Sequence, residues 1–249
     1  MSRADRDQRA YWDGLSQIDP DAAIIDPNDR RGLKNRYLAG MRDEAFRSSL
    51  CRHGLDDCVL LDLGCGTGSS TQPLLKAGYS VLGIDISLGL LRHAKVRCGD
   101  KHCLFIATDG SQLPIADATV DAAVVYVVLS YLVDDDRARA LLESVRRSLK
   151  PNAPLIMIEQ ARTQRRTTEA GLKVQRSRPE WLALLSSAGF KVDSSHILRH
   201  GRFPTTPLIR AGWLPPRLWP HISRLEARIA AHTGVLPWDY AEILFEARA

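Results

Sequence analysis

Apolar residues along this chain gather into short unbroken runs, and between the runs they recur at every third or fourth position. Runs of the first kind predict strands near 58–63, 80–85, 103–107, 120–127, 154–160, 190–198 and 240–247. They are continuous rather than alternating, as expected of strands covered on both faces. The clearest helical pattern runs from about Asp135 to Lys150, with Ala138, Leu141, Leu142, Val145 and Leu149 on one side, aspartates at its start and Pro151 beyond its end. Ser177-Arg178-Pro179-Glu180 opens a second helix with a capping-box pattern, and Gly189 closes it. Strands alternating with helices give an α/β class: a doubly wound, seven-stranded, mostly parallel sheet.

Three segments fall outside that alternation. Residues 1–57 carry the aromatic pair Tyr11-Trp12 and a link containing Asp19-Pro20-Asp21 and Asp26-Pro27-Asn28-Asp29. A helix follows with Leu33, Tyr37, Met41 and Ala45 on one side. Residues 161–176 are basic and read as a mobile, solvated connection. Residues 199–239, with Trp213, Trp219 and Trp238 and several prolines, separate the last two strands. So long a connection between neighbouring strands is usually functional. The expected organisation is an N-terminal helical lid over 1–57 and a core over 58–249, with a second lid piece at 199–239 before the last strand.

The chemistry concentrates after the first strand, in Leu61-Asp62-Leu63-Gly64-Cys65-Gly66-Thr67-Gly68. Glycine at alternate positions permits a sharp turn and lets a ligand approach the backbone, and the helix that follows offers free N–H groups. A dinucleotide loop has similar logic at G-x-G-x-x-G spacing, whereas this one is G-x-G-x-G. Acidic residues also end the next two strands: Asp85 in Val81-Leu82-Gly83-Ile84-Asp85-Ile86-Ser87, and Asp109 in Leu104-Phe105-Ile106-Ala107-Thr108-Asp109-Gly110. The first can accept two ribose hydroxyls, and the second stands where an adenine amine would point.

With Leu113-Pro114-Ile115-Ala116-Asp117 and Val120-Asp121-Ala122-Ala123-Val124-Val125 following in order, the stretch from about Cys58 to Gln160 resembles the class I S-adenosylmethionine-dependent methyltransferases. That resemblance implies S-adenosylmethionine as cofactor. Asp62 would support the loop and face the methionine ammonium, and Gly64, Cys65, Gly66 and Gly68 would admit the cofactor to the backbone. Asp85 would hold the ribose with Ile86 beside the adenine, Asp109 and Gly110 would flank the adenine edge, and Tyr126-Val127 would pass under the methionine. The region from Tyr11-Trp12-Asp13 to Asp29 resembles bacterial methyltransferases of surface-polysaccharide assembly, which implies a glycan hydroxyl as acceptor. An oxidoreductase using NAD and a cofactor-binding partner without activity of its own are the competing readings.

A hydroxyl acceptor needs a base. Many relatives carry histidines where Ser130 and Tyr131 stand, so the candidates are Glu159 at the end of the fifth strand and His196 and His200 at the sixth. Arg36, Tyr37, Ser130 and Tyr131 are candidate acceptor contacts. Composition narrows little else. Lys and Arg number 34 against 29 Asp and Glu, a net charge of +5, which is too modest to signal nucleic acid. No apolar run approaches the ~20 residues of a bilayer span, and the charged N-terminus lacks a secretory core, so a cytoplasmic enzyme with a small-molecule or glycan substrate is expected. Five cysteines at unpaired spacings predict free thiols and no metal.

Overall fold

The computed structural model describes residues 3–17, 26, 29–99, 102–201, 203–232 and 239–249. In chain order its elements are α1 (Arg3–Leu15), α2 (Leu33–Arg52), β1 (Val59–Leu63), α3 (Thr71–Lys76), β2 (Ser80–Asp85), α4 (Leu88–Cys98), β3 (Cys103–Ala107), β4 (Ala122–Tyr126), α5 (Asp135–Ser148), β5 (Pro154–Arg162), β6 (Arg166–Thr168), β7 (Lys173–Ser177), α6 (Arg178–Ser187), β8 (Lys191–His200), α7 (Thr205–Ala211), α8 (Trp219–His232) and β9 (Tyr240–Arg248). The link around Asp19-Pro20-Asp21, Pro27-Asn28 and Trp238 lie outside the described residues.

Strands β3, β2, β1, β4 and β5 lie side by side and parallel; β9 inserts antiparallel between β5 and β8. Alternate residues of each central strand serve opposite layers. Leu61, Ala123, Val125, Leu155 and Met157 pack with Leu142 and Val145 of α5 and Trp181 and Leu185 of α6. Leu60, Ala122, Val124, Ile156 and Ile158 pack with Phe46 and Leu50 of α2 and Leu74 of α3. Double burial explains the unbroken apolar runs. The capping box at Ser177 and Glu180 forms as the sequence predicts.

One expectation is corrected. The sheet has nine strands rather than seven, because 161–176, although exposed over 163–167 and 169–171, is not an irregular loop. Its residues form the antiparallel pair β6–β7, and β7 takes the edge of β5 beyond Ile158, where β4 has ended, pairing Ala161 with Arg176. Charge hid the strand. Arg176 is fully buried yet satisfied by Asp135 and by the carbonyls of Leu129 and Leu132. Of the apolar side expected for α2, Tyr37 is buried and Met41 and Ala45 pack half-buried against the apolar clusters, with Leu38, Phe46 and Leu50 buried beside them.

The two segments expected to form a lid meet. Tyr37 and Leu38 of α2 share an apolar cluster with Ile209 of α7 and Trp219 and Ile222 of α8. Helix α1 lies across the carboxyl edge of the parallel strands. Asp13 there accepts the Gly89 N–H at 3.1 Å and the Ser87 hydroxyl, while Arg9 donates to the Thr108 carbonyl at 2.7 Å.

Candidate active site

The carboxyl ends of β1, β2, β3 and β4 and the cleft end of β9 open into one cleft of about 1390 Å³, its mouth included. This is where open α/β sheets place ligands.

One end is built by the glycine turn. Gly64 and Gly66 take φ of 68° and 53°, values that favour glycine, and a Cβ on Gly64 would come within 2.2 Å of Val128. The Asp85 carboxylate ties the turn to β2: one oxygen accepts the Gly66 N–H at 2.9 Å and the other the Ser87 N–H at 2.8 Å. Burial pushes this carboxyl up to about 6 against the pull of those hydrogen bonds. Asp85 lines the cleft, and a carboxylate has about four acceptor sites, so capacity remains for a ligand's hydroxyls. Ile86, Leu90 and Gly110 add an apolar slot beside it. Asp109 also lines the cleft, with one oxygen bound to the Ser111 N–H and hydroxyl, which hold its carboxyl below the usual range. A buried acceptor for vicinal hydroxyls beside a flat apolar slot fits an adenosine.

Three residues expected at the cofactor do not line the cleft. One oxygen of Asp62 accepts the hydroxyls of Ser70 at 2.9 Å and Thr71 at 2.6 Å, bracing the loop onto α3. Cys65 is buried in the packing near Gly83, and Gly68 gives room to α4, where a Cβ would meet Cys98 at 2.8 Å. Tyr126 and Val127 do line the cleft. Val127 holds φ 53°, strained for a β-branched residue and of the kind that collects at functional sites. Its N–H donates to the Ile158 carbonyl at 2.8 Å, which holds the turn in place.

The base candidates are not brought together. Glu159 is fully buried and accepts the Leu129 N–H at 2.6 Å and the Ser130 hydroxyl at 2.5 Å. It fixes the turn after β4, and burial raises its carboxyl above the usual range. His196 is exposed in mid-strand on β8. His200 is buried, and desolvation followed by the Arg199 charge lowers it. None of the three lines the cleft. Of the expected acceptor contacts Tyr131 does, whereas Ser130 is spent on Glu159. Arg36 is exposed over the Trp219 ring, and Tyr37 packs against that ring. Helix α2 presents Lys34 and Leu38 instead.

The far end of the cleft was not legible in the sequence. Gln8 and Trp12 reach it from α1: Gln8 donates to the carbonyls of Tyr131 and Leu172, and Trp12 meets the Tyr131 ring edge-on at 4.8 Å. Lys173 of β7 sits 4.7 Å over that ring. Gln160, Glu242 and Arg199 form a row across β5, β9 and β8 in direct register. Tyr126 stands one step below on the same face, since its partner Ile158 precedes Gln160 by two residues. The Tyr240 ring lies so close to Gly201 that a Cβ there would be 1.4 Å from the ring. Glu242, a lone charge in the run Tyr240-Ala241-Glu242-Ile243-Leu244-Phe245, was the one available sequence signal.

This sheet order with a glycine turn and carboxylates at successive strand ends defines a class I methyltransferase fold. The comparisons agree. Residues 61–157 match the family model described as "Methyltransferase domain". A curated relative, a demethylmenaquinone methyltransferase of Paenarthrobacter aurescens, is 39% identical over 100 residues, 40% of this chain and 38% of that protein. The chain therefore spans well under two thirds of that relative. Among solved structures, the [4+2]-cyclase SpnF superposes with a TM-score of 0.58 at 23% identity, covering 83% of this chain and 80% of that one. A 1,6-didemethyltoxoflavin-N1-methyltransferase of Burkholderia thailandensis, holding S-adenosylhomocysteine, superposes with a TM-score of 0.64 at 17% identity over 100% of this chain and 90% of that one. Residues 61–157 carry a methyltransferase domain, and S-adenosylmethionine is the cofactor of that domain. No helix among the described residues is long and apolar enough to cross a membrane.

Proposed function

We propose that the whole chain transfers a methyl group from S-adenosylmethionine to a small acceptor with a flat unsaturated ring, held at the aromatic end of the cleft. The observation that carries this is the continuity of the cleft, from Asp85 and the glycine turn at one end to Tyr126, Tyr131, Trp12 and Tyr240 at the other. When bound, the sulfonium supplies both the methyl group and its leaving group. What remains for the chain is alignment and exclusion of water. Asp85 and the slot at Ile86 fix the adenosine, the Tyr126-Val127 turn supports the methionine, and α1, α2 and the β6–β7 pair cover the cleft.

The acceptor expected from the sequence, a sugar or glycan hydroxyl, has no counterpart in the names of the relatives given above. One of these acts by name on a quinone, and a structural neighbour on a toxoflavin precursor. Aromatic walls also suit a flat unsaturated ring, which can stack on them or meet them edge-on. Calorimetric titration with S-adenosylhomocysteine and with NAD tests the cofactor. A transfer screen across sugars, nucleosides, quinols and phenols tests the acceptor. Binding of NAD in preference to S-adenosylhomocysteine overturns the reading, and transfer confined to sugars overturns the ring acceptor.

A further inference from the structure

Three carboxylates line the cleft among the described residues: Asp85, Asp109 and Glu242. The first two belong to the adenosine end and are engaged by the Gly66, Ser87 and Ser111 groups. Glu242 stands alone at the acceptor end, in the row with Gln160 and Arg199. Arg199 is 2% exposed and Glu242 6% exposed, so both are largely withdrawn from water. Arg199 is anchored from behind: its Nη2 donates to the Thr206 hydroxyl at 2.6 Å, and its Nε lies 3.6 Å from the fully buried Glu226. Toward the cleft, Nη1 stands 3.9 Å from the Glu242 Oε1. That is beyond hydrogen-bond distance for two groups of opposite charge held on adjacent strands.

A single oxygen placed at about 2.8 Å from both atoms would span that gap with an angle of roughly 90° at the oxygen. Such an oxygen must donate its hydrogen to Glu242 and accept one from Arg199, which an acceptor hydroxyl can do by displacing a water. A carboxylate is a weak base, and it matches an acceptor hydroxyl only if that hydroxyl is itself acidic. A phenol, about 10 as in tyrosine, comes within reach when an adjacent guanidinium stabilises the anion, whereas a sugar hydroxyl does not. The neighbouring walls suit the ring of such a compound. Tyr126 lies one step below the row, and Tyr240 is held against Gly201.

Resting on the methyltransferase reading above, we propose that the acceptor is a phenol or enol whose hydroxyl seats between Glu242 and Arg199, with Glu242 as the general base. The O–H bond breaks and its proton passes to Glu242. The electron pair left on oxygen, stabilised by Arg199, forms the bond to the methyl carbon while the carbon–sulfur bond breaks and its electrons return to sulfur. The products are the methyl ether, neutral S-adenosylhomocysteine and a proton that Glu242 releases to water.

The test uses the full chain, two probes of similar size, and Glu242→Gln. 4-Methylphenol reaches the enzyme protonated at pH 8, whereas 4-nitrophenol arrives largely as its anion and needs no base. Glu242→Gln is expected to slow single-turnover transfer to 4-methylphenol about 100-fold or more and transfer to 4-nitrophenol less than about threefold, with S-adenosylhomocysteine affinity kept within about threefold. A purely structural role for Glu242 would slow both probes alike, and that result overturns the proposal. So does transfer to neither phenol by a chain that binds S-adenosylhomocysteine. A wild-type chain that does not bind S-adenosylhomocysteine overturns the methyltransferase reading instead. If Glu242→Gln fails to fold, Glu242→Asp, which keeps the charge beside Arg199 but withdraws it, is expected to favour 4-nitrophenol in the same sense. Equal loss on both probes in that variant likewise overturns the base.

Discussion

Gly66 and Asp85, nineteen residues apart, are joined by a 2.9 Å hydrogen bond from the glycine N–H to a largely buried carboxylate at the cleft wall. The turn that admits the cofactor and the acid that would hold its ribose are therefore a single unit. Its charge sits in a place that disfavours charge.

Asp85→Ala is expected to weaken S-adenosylhomocysteine binding about ten- to a hundredfold, the loss of roughly 1.5–3 kcal/mol in charged hydrogen bonds, while the chain stays folded. With the carboxyl pushed up to about 6, the folded chain without cofactor holds a proton below that pH that an unfolded aspartate, near 3.8, has released. Asp85 therefore adds stability below about pH 4 and loses that contribution as pH rises through about 6. Cofactor binding runs the other way, because the carboxylate accepts the hydroxyls, so affinity should fall as pH drops through about 6. Calorimetry between pH 7.5 and 5 checks this. A flat affinity would remove Asp85 from the ribose.

Gly201→Ala would set a methyl group 1.4 Å from the Tyr240 ring, forcing that ring from its place at the acceptor end. Expected is at least a tenfold loss in acceptor kcat/KM with S-adenosylhomocysteine affinity within about threefold. Equal loss of both would mean that Gly201 serves the whole cleft rather than one end.

Glu159→Gln separates a brace from a base. The amide oxygen can still accept the Leu129 N–H, and its nitrogen can donate to a rotated Ser130 hydroxyl. Transfer is expected within about threefold of wild type. Glu159→Ala leaves both donors buried without an acceptor and should lower stability by about 2–4 kcal/mol in denaturant unfolding. A hundredfold loss of transfer in Glu159→Gln, with stability and cofactor affinity intact, would restore it as the base.

Arg176→Met should destabilise the chain by about 2–4 kcal/mol, because the carbonyls of Leu129 and Leu132 lose their donor inside the protein. Asp135 remains paired with Arg165, whose hydrogen bond is the foremost cause of its lowered carboxyl pKa. Its stabilising contribution is present above about pH 4, the unfolded value, and is lost as pH falls through the lowered folded value. A melting temperature unchanged in Arg176→Met would show that water reaches those carbonyls.

The sequence by itself determined seven of the nine strands. Val59–Leu63, Ser80–Asp85 and Pro154–Arg162 are strands buried on both faces, and burial of that kind writes itself into adjacent residues as an unbroken apolar run. The glycine turn and the strand-end acids Asp85 and Asp109 were equally legible, because backbone approach and a ribose acceptor each depend on one residue type at one local position. Only the tertiary structure decided the rest. Whether Glu159 is a base or a brace depends on Leu129 and Ser130, thirty and twenty-nine residues away. Whether 161–176 is irregular or folded depends on Asp135 meeting Arg176. The acceptor end brings Trp12, Lys173, Arg199 and Glu242 together from four distant elements. A charged residue is buried only where a partner neutralises it, and no local pattern records a partner brought from elsewhere by the fold.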